Sequence, residues 1–420
     1  MFDDDLLEGK ESDNVKNINN EKSSEGTDSK IKGQEEGKLE NYKIYLFMLL
    51  LLITGSINTI ANKYIQNSDA LGKSFQGHQK FITFCMFLGE LLCLLFYFIK
   101  SRISKKNESD SSKPSPKLWY FALPALFDIF GSSIGTMSLS FLDSSVYQMF
   151  RGAIIIFTCI ASIIVLKSKY FRHHFLGIGI VVVGLLLIGL KAILVKDSKN
   201  SSNAGLGIFL VLLGEVFSSL LYISEESILK KYEISPLKAV GLEGMWGSSI
   251  YIILLFIFYF ISCKGWDDTI KENMCVEDDN HNIRFENAPF AFEQLGESAR
   301  LKFFIPLYIF SIAFFNFSGQ VIAQNVSSTA RAIVDTLRTI IIWGFFMMPF
   351  VEDKSRETFH FLQLIGFLIL ILGSLIYNEI LVIPIFGFNR NLKKNLSKDT
   401  KNEEINSMQS LGFVSESNND

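Results

Sequence analysis

Ten long apolar runs separated by short polar stretches fill the chain between residues 43 and 382. A helix of about 20 apolar residues, rising ~1.5 Å per residue, crosses the ~30 Å hydrocarbon core of a bilayer. The pattern predicts such helices near 43–66, 79–100, 118–141, 144–167, 174–195, 204–229, 237–262, 302–323, 326–350 and 359–382. The expected class is therefore an all-α membrane protein. Polar tails flank the spans at 1–42 and 383–420, and the first holds twelve acidic against six basic side chains. Such a tail cannot bury enough apolar surface to fold alone, and disorder is expected there. It lacks the basic start, short apolar core and cleavage site of a signal peptide, which leaves the first span as the targeting signal. Asp3-Asp4-Asp5-Leu6-Leu7 has the form of an acidic dileucine sorting signal, a form that an acidic tail also produces by chance.

Within this apolar pattern two spans break the rule in the same way. The fourth carries Arg151 followed by Gly-Ala-Ile-Ile-Ile, and the ninth carries Arg338 followed by Thr-Ile-Ile-Ile-Trp. An arginine inside a span costs at least ~2.5 kcal/mol, and so it faces a partner or a water-filled cavity. The fifth and tenth spans match as well, with Gly177 and Gly184 in one and Gly366 and Gly373 in the other. These likenesses predict a five-plus-five duplication, 43–195 and 204–382. Five is odd, so the halves run inverted to each other, and inverted repeats around a midplane site mark secondary transporters. Glycines seven apart share a helix face and let another backbone approach closely. Spans 5 and 10 carry almost no polar side chains, so they are expected at the periphery. Helix packing is the simplest use of their glycines, and a homodimer through spans 5 and 10 is another.

Charge sets the orientation rather than the partners. The overall balance of −3 says little, but Arg102, Lys105, Lys106, Lys113 and Lys117 share one loop, Lys167, Lys169 and Arg172 a second, and Lys230, Lys231 and Lys238 a third. Arg390, Lys393 and Lys394 follow the last span. The opposite loops are very short (142–143) or acidic, with nine acidic against three basic residues in 263–299. By the positive-inside rule both termini are cytosolic. Cys263 and Cys275 then lie on the lumenal or extracellular side, where a disulfide can persist. Cys85, Cys93 and Cys159 lie in spans and read as small apolar packing residues. Asn200-Ser-Ser is a glycosylation sequon on the same outer side, close to the membrane.

Other chemistries are missing from the pattern. There is no Cys-x-x-Cys, and the five histidines (78, 173, 174, 281, 360) are scattered, so no metal is expected. No phosphate-binding GxxxxGK[ST] loop suggests ATP-driven pumping, no basic tract suggests nucleic acid, and no soluble segment is large enough for a catalytic core. Neither an enzyme nor a cofactor is expected. The partners are the lipid bilayer and a small-molecule substrate.

Candidate substrate-binding residues are the polar side chains at membrane depth: Asn58 and Lys63 in span 1, Glu90 in span 2, Asp128 in span 3, Gln148 and Arg151 in span 4, Glu215 in span 6, Asn316 in span 8, and Asp335 with Arg338 in span 9. With Glu243 of span 7 they come from eight helices, four per half. Glu225, Glu226 and Glu243 fall nearer the cytosolic ends. Several have structural alternatives. Arg331, Asp335 and Arg338, four and three apart, can pair along one helix face, and Lys63 can snorkel to the interface. Glu90 and Asp128 lie too deep to snorkel and need partners or protons. Arg151 has no acidic residue within one turn, and Gln148 stands beside it as a neutral donor. It is the leading candidate for holding an anionic group.

Through its ten spans the chain resembles the F6-type branch of the solute carrier 35 family, and seven short segments carry the likeness. They are Thr54–Thr59, Phe87–Glu90, Tyr147–Thr158, Pro236–Gly244, Phe314–Phe317, Asp335–Arg338 and Gly366–Leu370. The resemblance omits both tails and the 263–299 loop. It implies the drug/metabolite transporter fold: ten helices, an inverted repeat, and a central cavity walled by helices 1–4 and 6–9. It also implies a nucleotide-sugar-transporter-like protein of endomembranes (Golgi, endoplasmic reticulum, lysosome or vacuole). Positions 331–335 read Arg-Ala-Ile-Val-Asp where the GDP-mannose branch carries a Gly-Ala-Leu-Asn-Lys type element, which speaks against that sugar. Three functions stay open: alternating-access transport of an organic, anionic metabolite such as a nucleotide sugar; vacuolar or lysosomal export of amino acids, peptides or drugs; and a non-transporting scaffold whose tails recruit partners.

Overall fold

A computed structural model describes residues 42–381 apart from 104–115, 140, 168–169, 195–203, 233, 269–270, 272–273, 279–280, 353–355, 357–358, 378 and 380. Both tails, the dileucine-like segment, Asn200-Ser-Ser, Lys105, Lys106, Lys113, Lys169 and the basic cluster at 390–394 lie outside the described residues. Helix occupies each of the ten apolar runs: α1 (Tyr42–Gln66), α2 (Gln79–Ile103), α3 (Ala122–Ser138), α4 and α5 (Ser144–Arg151 and Ile154–Val165), α6 (Arg172–Leu194), α7 (Ala204–Tyr232), α8 (Pro236–Phe260), α10 (Ala299–Asn325), α11 (Ser328–Phe346) and α12 (Phe361–Tyr377). A further short helix, α9 (Ala288–Glu297), precedes α10. Among the described residues eight spans are long and apolar enough to cross a membrane. The other two runs are α12, apolar but 17 residues long, and α11, which carries Arg331, Asp335 and Arg338.

The fourth run is not the unbroken helix its apolar pattern predicts. Gly152 and Ala153 interrupt it, and their N–H groups bond three residues back, to Met149 and Phe150. Glycine is a weak helix former, and a Cβ at Gly152 would meet the Leu370 side chain tightly, at 3.1 and 3.2 Å. Such tightened turns inside helices often mark functional positions. Arg151 is the last residue before the break. Its counterpart Arg338 sits in an unbroken helix that starts at a capped turn, with the Ser327 hydroxyl accepting from the Ala330 N–H.

The glycines of α6 and α12 meet each other. A Cβ on Gly184 would come 2.7 Å from the Gly366 carbonyl, and one on Gly373 would come 2.7 Å from the Gly177 carbonyl. The small-residue faces are thus consumed within the chain and leave no glycine stripe for a second copy. A homodimer through spans 5 and 10 gains no support from them. Overpacking of a tight contact costs roughly 1–3 kcal/mol. Gly184→Val is therefore expected to lower the thermal unfolding midpoint of the purified protein. A midpoint equal to wild type would show that the two helices can part without loss.

One end of the bundle is capped. Strands β1 (Asp69–Ala70) and β2 (Lys73–Ser74) form one small hairpin, and β3 (Val276–Glu277) and β4 (Ile283–Arg284) form another. Cys263 and Cys275 are joined by a disulfide with Cα atoms 6.6 Å apart. The cap is tied down by Glu286, fully buried, whose Oε1 lies 2.6 Å from His78 Nδ1 and accepts from the Asn287 N–H, while Oε2 accepts from the Phe81 N–H. Burial pushes this carboxyl up, but the charge and hydrogen bond of His78, together with Lys80 and the Asn287 N–H, outweigh it and hold it below the usual 4.5. A depressed carboxyl contributes stability above its unfolded value and loses it as pH falls through the folded one. The cap is thus expected to loosen below about pH 4.5, read as faster pepsin cleavage within 263–297 at falling pH. Glu286→Gln should be cut readily at every pH. Equal cleavage of variant and wild type would show that Glu286 does not hold the cap.

Candidate functional site: a charged cavity inside the helix bundle

The cavity sits among α1, α2, α3, α4, α7, α10 and α11, with a volume of about 100 Å³. Deep in it stand three arginines. Arg151 Nε lies 3.3 Å from Glu215 Oε1 of α7, and its Nη2 lies 3.3 Å from Asp335 Oδ2 of α11. Asp335 Oδ1 is also 2.9 Å from Arg338 Nε. Arg331 pairs with Glu225, stacks 4.0 Å over the Tyr222 ring, and reaches Asn316 Oδ1 at 3.5 Å. Arg338 lies 4.8 Å from the Phe315 ring.

These pairs leave donors over. Arg151 Nε, Arg331 Nε and both Nε and Nη2 of Arg338 are buried and aligned with no acceptor, even where a carboxylate is near. Buried guanidinium N–H groups without acceptors are costly. All three line the cavity, and Arg151 is the most open, its side chain 21% exposed against 2% for Arg331 and Arg338.

Of the ten residues expected at the site, Asn58, Asp128, Gln148, Arg151, Glu215, Asn316 and Arg338 line the cavity. Asp335 stands behind two arginines as their shared counter-ion. Glu90 lies behind Asn316, whose Nδ2 donates to Glu90 Oε1 at 2.5 Å. Lys63 is half-buried near the end of α1 and is not part of the lining. Gln148 donates to Thr59 Oγ1 at 3.2 Å, so it ties α4 to α1 rather than standing beside Arg151 with its donors free.

Two expectations change. Arg151 has carboxylate partners after all, supplied by helices far along the chain, with Asp335 184 residues away. The triplet on α11 closes on itself only in part, through the expected pair of Asp335 and Arg338. Asp335 serves Arg338 and Arg151, while Arg331, whose side chain leans toward the start of its helix, finds Glu225 on α7 instead. Glu225 is 5% exposed and lines the cavity, so it does not sit at a wet helix end. Tyr147, Tyr222 and Tyr308 also line the cavity. Their phenols are the amphipathic signal in the sequence that a search for charge passes over.

The histidines are less scattered than the sequence pattern suggests. His173 and His174 face Glu379 with ligand atoms within 4.8 Å of one another, close enough for an ion. His174 Nδ1, however, accepts the Phe171 N–H, so the neutral ring carries its proton on Nε2, toward Glu379. That tautomer suits a histidine–carboxylate pair and not a metal ligand.

Residues 44–381 match the model of the UAA transporter family. The chain is 36% identical over 347 residues to solute carrier family 35 member F6 of Rattus norvegicus, covering 80% of this chain and 89% of that protein. The Homo sapiens protein of the same name is 34% identical over 348 residues, again covering 80% and 89%. The chloroquine resistance transporter of Plasmodium falciparum is 26% identical over 204 residues, 47% of this chain and 44% of that one.

Proposed function

For a chain that belongs to the UAA transporter family and is built as a multi-pass helical membrane protein, we propose secondary-active transport of an organic metabolite by alternating access. The metabolite carries an anionic group, as a nucleotide sugar does, and that group docks on Arg151. The ten helical runs act as an inverted five-plus-five repeat, with both termini cytosolic and the protein in an endomembrane. The observation that carries the anionic reading is the set of buried guanidinium nitrogens without acceptors around a cavity that Arg151 faces. Arg151 and Arg338 balance Glu215 and Asp335, so the local cluster is neutral when empty. An incoming carboxylate or phosphate takes the two-point fork of Arg151 and displaces Glu215, whose contact is long and misaligned.

The test is exchange in proteoliposomes against labelled nucleotide sugars, nucleotides, organic acids and amino acids. Exchange of anionic members, competed by one another, is expected. Exchange confined to cationic or zwitterionic solutes would favour a second reading, export of amino acids or drugs, which the lining carboxylates Asp128, Glu215 and Glu225 support. Exchange of no member would remove the transport reading.

A further inference from the structure

The arginine cluster accounts for Glu215, Glu225 and Asp335 but leaves two deep carboxyls without a role. Glu90 of α2 is 1% exposed and Asp128 of α3 is 7% exposed. The two carboxyls stand within hydrogen-bond reach of each other. Between two carboxyls such a bond exists only while one of them holds a proton, because two carboxylates at such range repel. A second observation points the same way. Glu90 Oε2 is buried and receives no hydrogen bond from any N–H or O–H among the described residues. A buried carboxylate oxygen without a donor is costly, whereas the hydroxyl oxygen of a neutral carboxyl is itself a donor and needs none. The remaining oxygens are already committed: Glu90 Oε1 accepts from Asn316 Nδ2 at 2.5 Å, and Asp128 Oδ1 accepts from the Ser132 hydroxyl at 2.6 Å.

The surroundings cannot neutralise both. The groups felt at the pair are Glu225 from α7, Glu243 from α8, Tyr308 from α10, Cys93 from α2 itself and Arg331 from α11. Arg331 is the sole cation among them and is committed to Glu225. With Arg331 taken up by Glu225, none of these groups supplies a cation to balance two negative charges at Glu90 and Asp128.

We propose that Glu90 and Asp128 share a proton beside the cavity and that this proton couples to the movement of the organic solute. The coupling half of the proposal rests on the transport reading above; the proton itself does not. Asp128 faces the cavity, which gives the proton its way in and out. Asn316 passes the state of the pair to the substrate site, since its Nδ2 holds Glu90 while its Oδ1 faces Arg331 at 3.5 Å. Losing the proton puts a second negative charge beside Asn316, pulls its amide toward the pair and weakens its hold on Arg331. In the transport cycle the proton leaves Glu90–Asp128 to water on one side and another is taken from water on the other side, with no redox partner.

Infrared difference spectroscopy of the purified protein near pH 7, well above the usual carboxyl range of ~4, is the direct test. A protonated-carboxyl C=O band that shifts in deuterated water is expected in wild type. One component of it should vanish in Glu90→Gln and likewise in Asp128→Asn, and should persist in Glu352→Gln, where the lost carboxylate is an exposed partner of Arg300. Absence of the band in wild type, or its survival unchanged in both variants, overturns the proton site. The wild-type measurement needs no variant, and Asp128→Asn carries the assignment should Glu90→Gln fail to fold. For coupling, a solute that exchanges should accumulate about tenfold per unit of pH gradient if one proton moves per electroneutral cycle, and in Glu90→Gln it should not accumulate. Accumulation that ignores the gradient in wild type overturns the coupling. Failure of every solute to exchange overturns the coupling together with the transport reading, while the infrared result still decides the proton.

Discussion

Arg331→Leu should unfold the bundle rather than merely slow it. Arg331 is 2% exposed and bonds Glu225, which shares the amide of Gln320 with Glu243 at 3.0 and 3.1 Å. Next to it, Glu226 Oε2 accepts the Ser328 N–H and the Ser328 hydroxyl bonds the Tyr222 carbonyl. One guanidinium thus sits at the junction of α7, α8, α10 and α11. Removing one partner of a buried ion pair costs roughly 3–5 kcal/mol, mostly because the other charge stays behind unpaired. Here the charge left behind is Glu225, with a second carboxyl across Gln320. The expected result is a steep fall in the unfolding midpoint and in the monodisperse fraction after purification. The double variant Arg331→Leu with Glu225→Leu is expected to recover much of the loss, since an apolar pair of similar size in place of a buried ion pair is often near neutral. A single variant as stable as wild type, or a double variant that recovers nothing, would show that the junction is held by something other than this pair.

What the sequence made legible follows from physics that acts locally. Twenty apolar residues in a row announce a span whatever the neighbours do. Glycines seven apart in α6 and α12 announce a close contact, and the structure gives it a partner. Seven of the ten residues expected at the site line the cavity, because a polar side chain at membrane depth has nowhere else to go. Pairing was not legible. Glu215 and Glu225 answer Arg151 and Arg331 from a helix well along the chain, and only the packing of α7 between α4 and α11 decides which carboxylate meets which arginine. The break at Gly152 was hidden for a similar reason. A glycine inside an apolar run reads as packing, and its tight neighbour Leu370 is a residue in the last span. The cap was harder still, since His78, Lys80 and Glu286 gain meaning only once 263–297 folds back over the start of α2.

Arg151→Gln should abolish exchange and leave the fold in place. The contrast with Arg331 is one of exposure and alternatives. Arg151 is the open member of the three, and its two carboxylate contacts are both at 3.3 Å. Without it Asp335 keeps Arg338 at 2.9 Å, and Glu215, at the cavity wall, can take a proton from water. No charge is stranded, so the unfolding midpoint is expected to stay near that of wild type. The anion site, however, loses the fork that two oxygens need. Arg151→Lys separates charge from geometry: the ammonium keeps the charge but offers no planar pair of donors. Binding of an anionic solute should weaken by more than ~1 kcal/mol, about the worth of one charge-assisted hydrogen bond in place of two. Thermal-shift titration with the exchanged solute reads this directly, because a ligand selective for the folded state raises stability as its concentration exceeds Kd. If Arg151→Lys binds as wild type does, the fork is not used. If Arg151→Gln exchanges normally, or fails to fold, Arg151 is incidental to binding or structural, and the anion must be sought at Arg338.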